Sequence, residues 1–220
     1  MARSGQSVRR KFFFDALILT CEHGGNRIPP AYAKLFRGAT KILQTHRGLD
    51  IGALPVAKLM ARRLGAPLHY VTVSRLLVDL NRSLTHPRAY SEYTRHLPKD
   101  VRQDIAERYY HPHRGAVDTW IDAQVARKKR VLHLGIHSFT PELHGVERNA
   151  EIGLLYDSKH KLEGAFALAL QNGLETKIKS QGLSWRVRRN YPYNGAADGF
   201  TTALRLRLPE RSYLGLEIEM

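Results

Sequence analysis

The chain has 220 residues, 43% of them hydrophobic and 25% charged, with a formal net charge of +15 and one cysteine. That length and balance suit one folded domain with a sizeable core, and a single cysteine excludes an intramolecular disulfide. No apolar run approaches the roughly 20 residues of a membrane span and the first residues lack a signal-peptide layout, so the expected location is cytoplasmic.

In chain order, residues 1–11, with Arg9, Arg10 and Lys11, read as a short basic arm and 12–220 as a single domain. Residues 12–21 form an apolar, strand-like run that stops at Glu22-His23-Gly24-Gly25. After Pro29-Pro30 a short helix is expected over 31–36. Apolar residues at helical spacing predict a helix over 49–64, with Gly65 as its stop. A β-branched strand over 68–73 leads to a loop-rich stretch over 74–97. Residues 99–130 read as helix, interrupted at Pro112. A strand over 131–136 ends in His137-Ser138-Phe139-Thr140-Pro141, and a loop with proline and glycine follows. The remainder reads as strand 152–156, helix 160–181, strand 183–188, a turn-rich loop over 190–199 and a last strand over 213–219.

This alternation predicts a three-layer α/β fold with a mixed, mostly parallel sheet and helices on both faces. The chain stops directly after Glu219-Met220, inside a predicted strand, which is read as a C-terminal part absent from this numbering.

His23 and His137 each stand where a strand-like run stops, and the carboxyl ends of neighbouring strands in an α/β sheet form the ligand crevice. Among eleven histidines one at a strand end is ordinary. Two, with carboxylates near, point to a divalent metal that needs about three protein ligands and an open position. Asp50 is the best carboxylate for the third place, although aspartate at a helix start is also a common cap. Glu22 is a rival, but strand alternation points it away from the face His23 uses. His46 is expected beyond the ligand shell.

Arg82, in Asp79-Leu80-Asn81-Arg82, has the fork that binds a carboxylate with two parallel bonds, with Asn81 assisting. An Asp79–Arg82 salt bridge is the bland alternative. Glu217 and Glu219 share one face of the last strand, and a carboxylate there is costly unless paired or functional. At least one is expected to do chemistry, both being catalytic candidates, with pairing to an arginine as the other's alternative. In the loop from Asn190 to Gly195, Tyr193 could close over a substrate or simply stiffen the turn, and Asn190 and Ser138 are set beside it as substrate contacts. Ser138 lacks the Gly-x-Ser-x-Gly elbow of a serine hydrolase. His111 and His113 are expected at the surface, and Cys21 as a small buried residue.

The charge offers a competing reading, nucleic-acid binding. Lysines and arginines are spread along the chain, dense only at 127–130 and 186–189, with no helix-turn-helix, zinc-finger or RNP pattern. A small anionic substrate is served by the same field.

Taken in order, Cys21-Glu22-His23-Gly24-Gly25-Asn26-Arg27-Ile28-Pro29, His46-Arg47-Gly48-Leu49-Asp50-Ile51-Gly52-Ala53, Ser74-Arg75 with Asp79-Leu80-Asn81-Arg82, His137-Ser138-Phe139-Thr140-Pro141, Asn190-Tyr191-Pro192-Tyr193 and Glu217-Ile218-Glu219 resemble the N-formylglutamate amidohydrolase family. The resemblance runs from residue 16 to 220 and departs from the family pattern at Glu22, where proline is usual, and at Thr140-Pro141. It implies a zinc carboxypeptidase-like fold, Zn²⁺ held by His23, Asp50 and His137, a substrate carboxylate gripped by Asn81 and Arg82, and Glu219 as general base and acid. The implied reaction is hydrolysis of N-formylglutamate to formate and glutamate, as in histidine degradation. A zinc peptidase or amidase acting on peptide or cell-wall amides would keep the same residues and change the pocket.

Overall fold

A computed structural model describes residues 14–143 and 145–220. The expected basic arm lies outside the described residues. Six strands form one sheet in the order β2 (Leu68–Tyr70), β1 (Ala16–Cys21), β3 (Val131–His137), β8 (Tyr213–Glu219), β6 (Ile152–Leu155) and β7 (Val187–Arg189). All neighbours run parallel except β6 against β8, so the sheet is mixed and mostly parallel. A small antiparallel hairpin, β4 (Glu142–Leu143) with β5 (Val146–Glu147), stands apart.

Side-chain parity divides the core. Leu19 and Cys21 of β1, Leu132, Leu134 and Ile136 of β3, and Leu214, Leu216 and Ile218 of β8 form one face. They pack on Ala53 and Ala57 of α2 (Ala53–Leu64) and Ala167 and Ile178 of α5 (Lys161–Ser180). The alternate residues, Ile18, Val131 and Tyr213, meet Val117 and Ile121 of α4 (His111–Ala126) and Phe200 and Leu204 of α6 (Phe200–Arg207). Helices thus cover both faces, as the alternation of elements predicts. The parity that sends Tyr213 toward α4 and α6 also sends Glu217 and Glu219 there, and that of Val131 sends His133 and His137.

The stretch over 74–97 has no regular element, yet Leu77, Val78, Leu80 and Ala89 are fully buried. They form a third core with Tyr32 and Phe36 of the 3₁₀ turn Pro30–Phe36 and Ile105 of α3 (Lys99–Ile105). A short helix, α1 (Thr40–Leu43), precedes the site loop at Asp50.

Several boundaries differ from the sequence reading. The expected strand over 68–73 closes after Tyr70, and Val73 survives as an isolated bridge to Arg27. The turn after β1 presses on this segment: a Cβ at Gly25 would lie 2.6 Å from the Thr72 carbonyl oxygen, a close approach only glycine permits. The helix expected from 49 begins at Ala53, and the strand expected over 183–188 spans Val187–Arg189. The long helix is interrupted by a π-helical turn, Ala106–Tyr110, directly before His111 and Pro112, and ends at Ala126. Helix α6 fell in a stretch the pattern left unassigned; its two threonines are poor helix formers and its Leu206 is exposed. No helix among the described residues is long and apolar enough to cross a membrane.

Candidate active site

The parallel strands β1 and β3 end side by side, and Glu219 stands opposite His137 in the β3–β8 register. Here opens a cleft of about 350 Å³ lined by His23, Asp50, Asn81, Arg82, Ser138, Tyr193, Glu217 and Glu219, as well as His137. Asn190 is not in this lining. Its carboxamide oxygen accepts from the backbone N–H groups of Tyr156 (3.0 Å) and Gly195 (3.2 Å), so it shapes the loop that carries Tyr193.

His23, Asp50 and His137 are all buried. The Nδ1 atoms of the two rings face the same oxygen, Asp50 Oδ2, at 3.3 Å from His23 and 2.8 Å from His137. Asp50 makes no side-chain cap on α2, so the helix-capping reading does not apply; its second oxygen accepts from Arg75 Nη1 at 3.2 Å. Behind each ring stands a further carboxylate. His23 Nε2 is 2.8 Å from Asp79 Oδ1, and His137 Nε2 is 3.3 Å from Glu22 Oε2.

One ligand atom from each of His23, Asp50 and His137 lies within 4.8 Å of the others. Two imidazoles and one carboxylate, all buried and each ring backed by an acid, are a donor set that fits a divalent cation such as zinc.

The charges of the site hold one another. Burial pulls the His23 imidazole down and Arg75 adds to this, but Asp79 and Asp50 outweigh both and raise it. Burial likewise opposes the charged form of His137, and Asp50 and Glu22 raise it well above its ordinary value. Glu22, Asp50 and Asp79 are penalised by burial yet driven below the carboxylate range by the neighbouring imidazoles and, for the two aspartates, by Arg75.

Glu219 is different: burial, only partly offset by His137, pushes it up to about 7, and its Oε2 has no hydrogen-bond partner among the described residues. Glu217 is satisfied instead, accepting from Asn81 Nδ2 (3.3 Å) and Thr201 Oγ1 (3.1 Å). Its partners are thus an amide and a hydroxyl rather than the arginine expected for the second glutamate.

Asn81 is held on both sides, since its Oδ1 also accepts from Phe200 N at 2.7 Å. Arg82 sits 3.8 Å from Asp79 and donates toward His86 at 3.3 Å, while Asp79 makes its shorter contacts to Arg75 (2.7 Å) and His23. The Asp79–Arg82 bridge is therefore a minor contact. The hydroxyl of Ser138 donates to the Ile51 carbonyl (2.8 Å), and that of Tyr193 accepts from Arg148 (2.9 Å). His46 is exposed at the cleft edge. Arg75, quoted from sequence only within the Ser74-Arg75 motif, Asp79 as the acid behind His23, and Arg88 at the cleft lining were given no site role by sequence reasoning; the first two follow the bridge residue Val73 in a stretch without regular elements, where periodicity carries no signal.

His113 is a correction: only 4% of its side chain is exposed and it faces Glu22, while His111 is half exposed as expected. Cys21 is buried inside β1, and burial pushes its thiol up to about 12, which suits packing and not attack.

The fold and cleft define an α/β protein whose imidazole–carboxylate site lies at the carboxyl ends of its parallel strands. The chain belongs to the N-formylglutamate amidohydrolase family, whose profile matches residues 15–220. Among solved structures it is similar to a gene product from Agrobacterium tumefaciens, at 33% identity and a TM-score of 0.76, covering 93% of this chain and 79% of that one. It also shares its fold with an N-formylglutamate amidohydrolase from Ralstonia eutropha, at 20% identity and a TM-score of 0.64, covering 93% and 80% of the two chains. No curated protein matches it.

Proposed function

We propose that this protein is a zinc-dependent amidohydrolase that removes the N-acyl group, formyl first, from an acidic amino acid such as glutamate. The observation that carries the reading is the convergence of both histidine Nδ1 atoms on one Asp50 oxygen, with the unpartnered Glu219 carboxyl on the adjoining strand. Family membership supports amide hydrolysis of formylglutamate-like substrates.

His23, Asp50 and His137 would hold the metal. Bound there, zinc would supply the Lewis acidity that polarises an acyl carbonyl and acidifies water near neutral pH. Glu219 would take a proton from the attacking water and deliver it to the leaving amine nitrogen. A carboxyl poised near 7 is divided between its two forms at neutral pH, as a group that is first base and then acid requires. Arg82 offers the carboxylate anchor and Arg88, also in the lining, a second cation for a substrate with two carboxylates. Asn81 braces Glu217 and the start of α6, Tyr193 forms one wall, and Ser138 ties the loop after β3 to the residues before α2. The expected partner is a small anionic N-acyl amino acid, and the products are formate and glutamate.

The test combines metal analysis of protein purified without added zinc with formate release from N-formyl-L-glutamate. About one equivalent of zinc, lost in His23→Ala together with turnover, is the expected result. Zinc content unchanged by that substitution, or formate release by metal-stripped protein, overturns the reading.

A further inference from the structure

The two imidazoles of the site are backed differently. Behind His23 stands Asp79, whose other oxygen is gripped by Arg75, itself bonded to Asp50. Behind His137 stands Glu22, and its other oxygen, Oε1, faces His113 Nε2 at 3.5 Å. Glu22, His113 and His137 have side chains exposed by only 1%, 4% and 4%. Among the described residues, both Glu22 oxygens and the Nε2 atoms of the two histidines have no hydrogen-bond partner beyond these ion-pair contacts. The Glu22 oxygens and the two imidazole nitrogens face one another at these distances, and burying polar groups is costly unless they are paired.

The folding pattern delivers the three residues to one place. Thr20 pairs with Gly135 across β1 and β3, so two residues later Glu22 comes level with His137, on the sheet face that α4 covers. On α4 the buried positions His113, Val117 and Ile121 recur every four residues. His113 thus occupies the first site of a stripe that is otherwise apolar and faces the core. The π-helical turn Ala106–Tyr110 lies just before it, and such turns re-aim the residues that follow and recur at functional sites.

We propose that Glu22 and His113 are positioning residues for the metal centre: Glu22 fixes the ring of His137, and His113 acts through Glu22. Neither touches the cleft. His137 presents Nδ1 to the site with its Nε2 turned back toward Glu22, 3.3 Å away, and Glu22 is kept in place by His113, which faces its far oxygen at 3.5 Å. This inference rests on the metal-dependent reading above.

The experiment measures zinc dissociation constants by chelator competition, and the visible spectrum of the cobalt(II)-loaded protein, for the parent, Glu22→Gln, His113→Gln and the double variant. Glu22→Gln is expected to weaken zinc binding by roughly 10–100-fold and to alter the cobalt spectrum. His113→Gln should change both in the same direction by less, and the double variant should be no worse than Glu22→Gln alone. A purely structural role would lower thermal stability while leaving the spectrum and zinc affinity unchanged, and that result overturns the proposal. Additive losses in the double variant overturn the part in which His113 acts through Glu22. Should Glu22→Gln not fold, parent-like zinc affinity and spectrum in His113→Gln overturn the proposal on their own. Failure of the metal reading is distinguishable, because the parent itself would then bind no zinc or would keep it in His23→Ala.

Discussion

At the scale of single residues, the two glutamates of β8 show how equal sequence signals acquire different chemistry. Both point to the same face by strand parity, yet Glu217 accepts from Asn81 and Thr201 while Glu219 keeps a buried oxygen without a partner among the described residues. A satisfied carboxylate is a poor proton carrier, and one raised to about 7 is a good one. Glu219→Gln should therefore lower turnover by roughly 10²–10⁴-fold with zinc content intact. Glu217→Gln, whose carbonyl oxygen can still accept from Asn81 and Thr201, should cost far less. Steady-state formate release with parallel zinc analysis separates these outcomes. A larger loss in Glu217→Gln would reverse the assignment, and loss of zinc in Glu219→Gln would make Glu219 a ligand.

Among the elements, the long ones were legible because length gives periodicity room to speak: α5 and β8 lie within a residue or so of their predicted ranges. The short ones were not. Helix α6 depends on tertiary support: Phe200 N bonds Asn81, and Arg205 is bound to the buried Glu163 of α5. Of the site, the residues at strand ends were readable from sequence, since a run that stops at a histidine is visible. The acids and cations behind them were not, because Glu22 and His113 meet across 91 positions (113 − 22), a pairing no local pattern encodes.

Glu163 is the principal tie between these elements. It is fully buried and accepts from Arg205 Nε (2.9 Å), Gly215 N of β8 (2.7 Å) and Asp157 N (3.0 Å). Arg205 in turn donates to the carbonyls of Gly195 and Gly215. Removing one partner strands the other charge, so Glu163→Leu should destabilise the protein by about 3–5 kcal/mol, and Glu163→Leu with Arg205→Leu by less than either change alone. Urea unfolding of the three variants tests this; a single variant within about 0.5 kcal/mol of the parent would show the pair to be dispensable.

For the molecule as a whole, the pH dependence of stability follows from which buried groups gain or lose proton affinity on folding. Glu22, Asp50 and Asp79 are held below the carboxylate range, so their contribution is present above their unfolded values near pH ~4 and is lost as acid reaches the folded ones. Burial lowers His133 to about 4, between the Thr20 and Tyr213 hydroxyls, so the unfolded chain binds its proton better below about 6.5 and stability rises with pH up to there. His23 and His137 are raised, so their contribution is full below the unfolded value and is lost as pH climbs through the folded ones.

Glu219, raised to about 7, loses its contribution as pH climbs from its unfolded value near ~4 and offsets the rise from His133, so metal-free protein should change little up to pH ~6.5 and decline above it. Zinc takes deprotonated imidazoles, so in the loaded protein those two protons are gone and the alkaline decline should disappear. Thermal unfolding from about pH 5.5 to 8.5, with and without zinc, is expected to show a stabilisation by zinc that widens as pH rises. A gap constant across that window, or a metal-free protein that gains stability through it, would mean that His23 and His137 are not the groups whose protons zinc displaces.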